Sequence, residues 1–190
     1  MKRKEVSRKQ QIDLTEDSLR SFEVATYKCE DLTVDDLTAC FDLVKTNLID
    51  MYKNSKLGWH PKSKLKEMRE KGLIYIIIKT KNTQTTLTGF ISFMVTIETD
   101  ECVIYCYELQ LSQDLRGRGL GKLLLNKMEQ FSSVARVSKS MLTVFSANPA
   151  VKFYSKFGYK LSPTSPEAKV LRNGVVKTPS YFIMEKELLT

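Results

Sequence analysis

This chain of 190 residues has a single histidine, His60, and four cysteines, none at Cys-x-x-Cys spacing. Zinc is usually held by Cys and His ligands in close pairs, so no metal site is expected, nor a nucleophilic triad that needs histidine. Cys102 and Cys106, four apart, are expected as buried free thiols on one face of a strand. The longest apolar run covers residues 73–78, far short of the roughly 20 residues a membrane helix needs. Met1 is followed by Lys2, Arg3 and Lys4 and then by further polar residues, without the apolar stretch of a secretory signal. These absences lead us to expect a soluble intracellular protein. There is no internal repeat and no long low-complexity segment.

A length of 190 residues suits one domain with a core, and 42% hydrophobic with 27% charged residues excludes wholesale disorder. Residues 1–20 are expected to form a basic extension, in part helical, and residues 21–190 the domain. The net charge of +8 is unevenly spread. Residues 1–10 alone hold five basic residues against Glu5, the pattern of a solvated tail or of a nuclear-import signal. Residues 82–115 contain no Lys or Arg but carry Glu98, Asp100, Glu101, Glu108 and Asp114. An acidic surface there would attract a cationic substrate. No helix-turn-helix or RNA-binding aromatic motif accompanies the basic residues, so neither direct nucleic-acid binding nor membrane binding is expected.

Periodicity predicts strands at 22–29, 73–79, 87–97, 103–111, 141–146 and 181–188, with turns at 82–86 and 98–101. Leu37, Cys40, Phe41, Val44, Leu48 and Met51 recur at helical spacing after the capping signal of Thr33. Further helices are expected from Pro61 up to Gly72, at 119–135 and at 149–157, the last stopped by Gly158. Antiparallel strands followed by strand–helix–strand imply an α/β (α+β) domain on one mixed sheet.

The chemistry is concentrated where the 103–111 strand runs into Arg116-Gly117-Arg118-Gly119-Leu120-Gly121-Lys122 and opens a helix. Alternate glycines let backbone amides approach an anion, and the helix N-terminus adds its dipole, so this is a pyrophosphate cradle with Arg116, Arg118 and Lys122 as countercharge. A Walker loop is excluded by Arg116 and Leu123, and a dinucleotide fingerprint by Lys122 in place of its last glycine.

Arg116-x-x-Gly119-x-Gly121, followed by Asn148-Pro-Ala-Val-Lys-Phe-Tyr-Ser-Lys-Phe-Gly-Tyr159, resembles the acetyl-CoA signature and second motif of the GCN5-related N-acetyltransferase (GNAT) superfamily. Within it, Tyr105-Cys-Tyr-Glu-Leu-Gln-Leu, Met141-Leu-Thr-Val-Phe and Gly58-Trp59 after Tyr52 resemble the histone N-terminal acetyltransferases called NatD, over about 52–181. The resemblance implies a mostly antiparallel sheet flanked by helices. It implies acetyl-CoA held by the backbone of Leu109, Gln110 and Leu111, by the loop from Gly117 through Leu120 to Lys122, and by Asn148, with no metal. It implies Glu108 as general base and Tyr154 as the acid for the departing thiol. Tyr52, Thr96, Ile97, Glu98, Tyr107, Thr143 and Tyr181 would bind a histone tail beginning Ser-Gly-Arg-Gly, Glu98 pairing with its arginine. Thr96 stands where animal members have aspartate, and Leu57 where they have tryptophan. The family pattern also implies a monomer without an auxiliary subunit, in cytoplasm and nucleus. A lysine side chain, a polyamine or another small amine remains an alternative acceptor.

Overall fold

The computed structural model describes residues 21–81, 86–170 and 172–188. The expected N-terminal helix, and all of the 82–86 turn except Thr86, lie outside the described residues.

Strand β1 (Phe22–Lys28) leads through a 3-10 turn to α1 (Val34–Lys53). Thr33 caps α1 by accepting the amide of Asp36 at 3.1 Å, as its sequence predicts. Helix α2 (Pro61–Glu67) starts at proline and is shorter than expected. The amides of Arg69 and Glu70 bond back only three residues, a tightening last turn well before Gly72. Then come β2 (Ile74–Thr80), β3 (Thr86–Glu98) and β4 (Glu101–Leu111). The β3–β4 hairpin turns on Thr99 and Asp100, both with positive φ, matching the two-residue primed turn whose twist suits a hairpin. Helix α3 (Leu120–Ala135), β5 (Lys139–Phe145), α4 (Ala150–Lys156), β6 (Lys160–Leu161), the small pair β7 (Lys169–Val170) and β8 (Val176–Lys177), and β9 (Tyr181–Glu187) complete the fold. Strands β6 to β8, two residues each, were not expected; they are too short for a periodicity of two to register.

The main sheet has the order β1-β2-β3-β4-β5-β9-β6, and only β4–β5 is parallel. Helices α1 and α2 cover one face around Leu37, Cys40, Val44, Met68, Tyr75, Ile77 and Phe90. Helices α3 and α4 cover the other around Ile76, Ile91, Phe93, Ile104, Leu124 and Met128.

One expectation needs correcting. Cys106 is buried, but Cys102 is exposed, because the hairpin tip runs past the helices; its cross-strand neighbour Ile97 is 71% exposed.

Candidate active site

Two irregularities in the sheet build the site, and both fall on β4. The first is a bulge. Ser92 pairs with Glu108 but Phe93 pairs with Cys106, so Tyr107 is an extra residue. Before it, Ile104 and Cys106 face the α3 side; after it, Leu109 and Leu111 do. The phase change turns Glu108 and Gln110 to the α1–α2 side, shared with Tyr105 and Tyr107, as bulges beside functional sites commonly do. Without it Glu108 would follow Cys106 into the apolar layer under α3.

The second irregularity is a parting of strands. β4 and β5 pair only at Ile104↔Ser140, Tyr105↔Met141 and Cys106↔Leu142. Beyond Cys106 no ladder joins them, although β4 continues to Leu111 and β5 to Phe145. The backbone of Leu109, Gln110 and Leu111 therefore borders a seam into which an extended, amide-bearing chain fits as an added strand.

The glycine loop lies at the head of this seam. Gly117 and Gly119 have φ of 77° and 83°, where a side chain costs about 1–2 kcal/mol. No side chain caps α3 at Gly119, and the first helical bond runs from Leu123 to Gly119, so first-turn amides such as those of Leu120 and Gly121 point out of the helix end. Left-handed glycines, outward amides and the seam fit the diphosphate and pantetheine of acetyl-CoA. Two details differ from the sequence reading. A Cβ on Gly121 would stand 3.2 Å from Phe153, so that glycine serves the packing of α3 on α4 as well. Arg116 donates to Asn47 Oδ1 at 2.6 Å and ties the loop to α1, a structural bond beside the countercharge expected of it.

Glu108 is 5% exposed. Its Oε1 lies 2.6 Å from Lys64 Nζ, and its Oε2 accepts from Gln110 Nε2 at 2.7 Å. Lys64, itself 7% exposed, also reaches Glu67 Oε1 at 2.6 Å and lies 5.7 Å from the centre of the Tyr52 ring. Asn47 Nδ2 donates to Gln110 Oε1 at 2.9 Å and to the Leu111 carbonyl at 3.1 Å. A polar chain thus runs from Glu67 through Lys64, Glu108, Gln110 and Asn47 to Arg116. Stripping one partner from a buried ion pair costs about 3–5 kcal/mol. Burial opposes the Lys64 charge, but Glu108, then Tyr52 and Glu67, outweigh it and hold the ammonium's pKa above its ordinary value.

Tyr154 is 6% exposed and packs against Phe153 and Tyr159. Burial first, then Cys106 and Glu108, push its phenol well above the ordinary range, so the hydroxyl keeps its proton at neutral pH. Asn148 Oδ1 accepts the Ala150 amide at 2.9 Å in a tight turn that leads into α4, a local role beside the expected one toward a ligand.

The candidate peptide residues, Ile97 apart, share the α1–α2 face. Tyr52 meets Trp59 and Phe145 edge-on at 5.3 and 4.9 Å between ring centres, closing the seam with an aromatic wall. Phe145 pairs with Tyr181 of β9, and Thr143 bonds the Tyr105 hydroxyl at 2.6 Å. The pKa of Tyr107 is raised by burial and then by the negative charges of Glu70, Glu98 and Glu67, from the turn after α2, β3 and α2. Alternation sets Thr96 and Glu98 on this face but turns Ile97 to the opposite one. Of Ile97, therefore, only the backbone is available to a peptide. Glu101 is tied to Lys139.

Residues 58–188 match the model of the acetyltransferase (GNAT) domain family. The chain belongs to that family. A curated relative, "N-alpha-acetyltransferase 40" of Saccharomyces cerevisiae, is 31% identical over 178 residues, covering 79% of this chain. The chain spans 61% of that relative's length. Among solved structures, the paiA N-acetyltransferase of Thermoplasma acidophilum in complex with coenzyme A has a TM-score of 0.59 at 19% identity, over 87% of this chain and 99% of that one. NAA60 of Arabidopsis thaliana in complex with a bisubstrate analogue has a TM-score of 0.62 at 12% identity, over 88% and 100%. These two likenesses concern the GNAT fold, whose mixed, mostly antiparallel sheet flanked by helices is the one seen here.

Sequence reasoning missed Lys64, Asn47, Tyr105 and Phe145. Lys62, Lys64 and Lys66 look alike in sequence; the one signal was that Lys64 precedes Met68 by four residues and so shares its buried face.

Proposed function

We propose that this chain is an N-alpha-acetyltransferase of the NatD kind, transferring acetyl from acetyl-CoA to the free α-amine of histone tails that begin Ser-Gly-Arg-Gly. The observation that carries the reading is Glu108, a buried carboxylate turned by a bulge toward an aromatic, acid-bordered face beside the open seam. The relative named N-alpha-acetyltransferase 40 supports acetylation of an α-amine. Histone tails would be met in cytoplasm and nucleus, and the chain would act on them as a monomer.

Acetyl-CoA supplies the acetyl group as an activated thioester. The backbone of Leu109 to Leu111 orients its arm, and the amides of the Gly117–Gly121 loop, with Arg118 and Lys122, hold its diphosphate. An α-amine has a reference pKa of about 7.7–8.0, so much of it is protonated at neutral pH and one proton must leave before attack. Glu108 takes that proton, directly or through one water. As the carbon–nitrogen bond forms and the carbon–sulfur bond breaks, Tyr154 gives its proton to the sulfur, and the second proton of the nitrogen, acidic once acylated, leaves through solvent and restores the phenol. Glu98 pairs with the arginine at peptide position three, and Tyr52, Tyr107 and Tyr181 leave room for a small Ser-Gly terminus.

Intact mass after incubation with acetyl-CoA and two peptides tests this, one with a free Ser-Gly-Arg-Gly-Lys terminus and one blocked there. One acetyl on the free peptide alone, with kcat reduced about 100-fold or more in Glu108→Gln, is the expected outcome. Acetylation of the blocked peptide would make the acceptor a lysine side chain.

A further inference from the structure

Lys64 is a cation placed where a helix on this sheet ordinarily buries an apolar side chain. It stands on the first turns of α2, four residues before the buried Met68, and is as enclosed as the core around it. Surface lysines do not give up hydration for a single partner; this one is held by Glu108, by Glu67 and by the face of Tyr52. The titratable groups within electrostatic reach of Glu108 are Tyr52 and Cys40 from α1, Lys64 from α2 and Tyr75 from β2 on its own face of the sheet, and Cys106 and Tyr154 from the α3–α4 face. All but Lys64 are neutral at pH 7. Among the described residues, Lys64 is the one cation in salt-bridge contact with this carboxylate.

We propose that Lys64 is a positioning residue for the acetyl-transfer step, holding Glu108 Oε1 while Gln110 holds Oε2, so that the carboxylate keeps one orientation toward the substrate amine. The inference rests on the reading of Glu108 as the base. Two fixed oxygens leave one free lone pair each, and a base held in one rotamer loses no time searching for the proton. Because the same ammonium touches the Tyr52 ring, the wall of the peptide site and the base are held by one side chain.

The test is a double-mutant cycle on the full chain, using Lys64→Met, Glu108→Gln and both together, with acetyl-CoA and the free Ser-Gly-Arg-Gly-Lys peptide. Lys64→Met is expected to lower kcat about 10- to 100-fold and to leave the acetyl-CoA dissociation constant unchanged by calorimetry. The acetyl-CoA KM should stay at the parent's value, so that the loss falls on kcat alone. In the Glu108→Gln background the same change should cost less than about threefold, because the group it positions is gone. A Lys64→Met enzyme within twofold of the parent overturns the proposal, as does an equal loss in both backgrounds, which marks a purely structural lysine. Full activity in Glu108→Gln alone is a different failure, that of the base reading itself. If Lys64→Met does not bind acetyl-CoA, Lys64→Arg carries the test. Arginine keeps the charge but is planar and larger, so kcat should fall while acetyl-CoA binding stays at the parent's affinity; unaltered kcat there overturns the proposal.

Discussion

Tyr154 carries a hydroxyl whose proton its surroundings hold in place. It lies under α4 beside Cys106 and within electrostatic reach of Glu108, and burial of the phenol disfavours its ionised form. A group that is to hand a proton to a departing sulfur needs to be protonated at the outset, and this one is. Tyr154→Phe keeps the ring on Phe153 and Tyr159, so the fold should survive. We expect kcat to fall about 100-fold, the lower end of what general acid catalysis contributes, with the acetyl-CoA KM unchanged. Steady-state kinetics checks this, and a kcat equal to the parent's would leave Tyr154 a packing residue. At this scale the sequence was only half legible. Glu108 and Tyr154 stand in motifs, so their neighbours in the chain were enough to single them out as candidates. Lys64 and Asn47 reach Glu108 and Gln110 from helices 44 and 63 residues away in sequence, and no local pattern announces such a partner.

Elements were more legible where they begin and end than where they pair. The Thr33 cap, the proline that opens α2 and the glycine after α4 sit close to the boundaries their chemistry predicts, since each is decided within a few residues. The bulge at Tyr107 was not legible, because it is a property of two strands together: Tyr105 to Leu111 alternates as a strand should, and only the register against β3 shows the extra residue. Gly119 belongs to this scale as well. Its positive φ starts α3, so Gly119→Ala is expected to lower stability by about 1–2 kcal/mol and to weaken acetyl-CoA binding through the tilted helix end. Urea denaturation and calorimetry on the same samples separate the two effects; binding retained at the parent's affinity would dissociate the helix start from the diphosphate site.

For the whole molecule, the buried titratable groups set an alkaline limit. Burial raises the thiols of Cys40 and Cys106 and the phenols of Tyr75 and Tyr159, and Lys64 is held charged by Glu108 against the pull of burial. Every one binds its proton more tightly in the folded chain than in the unfolded one. Stability that depends on such groups is complete below their unfolded values and is lost as pH rises toward the folded ones. The first loss should therefore appear above about pH 8.5, where unfolded cysteine begins to ionise, and steepen past about pH 10 with tyrosine and lysine. Thermal melts from pH 6 to 10.5 should show Tm flat at first and then falling; a Tm that rises above pH 9 would contradict it.

The seam beside Glu108 also divides the sheet mechanically. Strands β1 to β4 form one continuous ladder and β5, β9 and β6 another, and three residue pairs join the two. Cooperative unfolding passes easily along a ladder and poorly across so narrow a joint. Amide hydrogen exchange on the ligand-free protein should therefore resolve two units, with β5 and β9 opening before β2 and β3. A molecule lying in the seam would rivet the halves together, so saturating acetyl-CoA should slow exchange most on the β5 side. The substrate would then be, for as long as it stays, a missing strand of the fold.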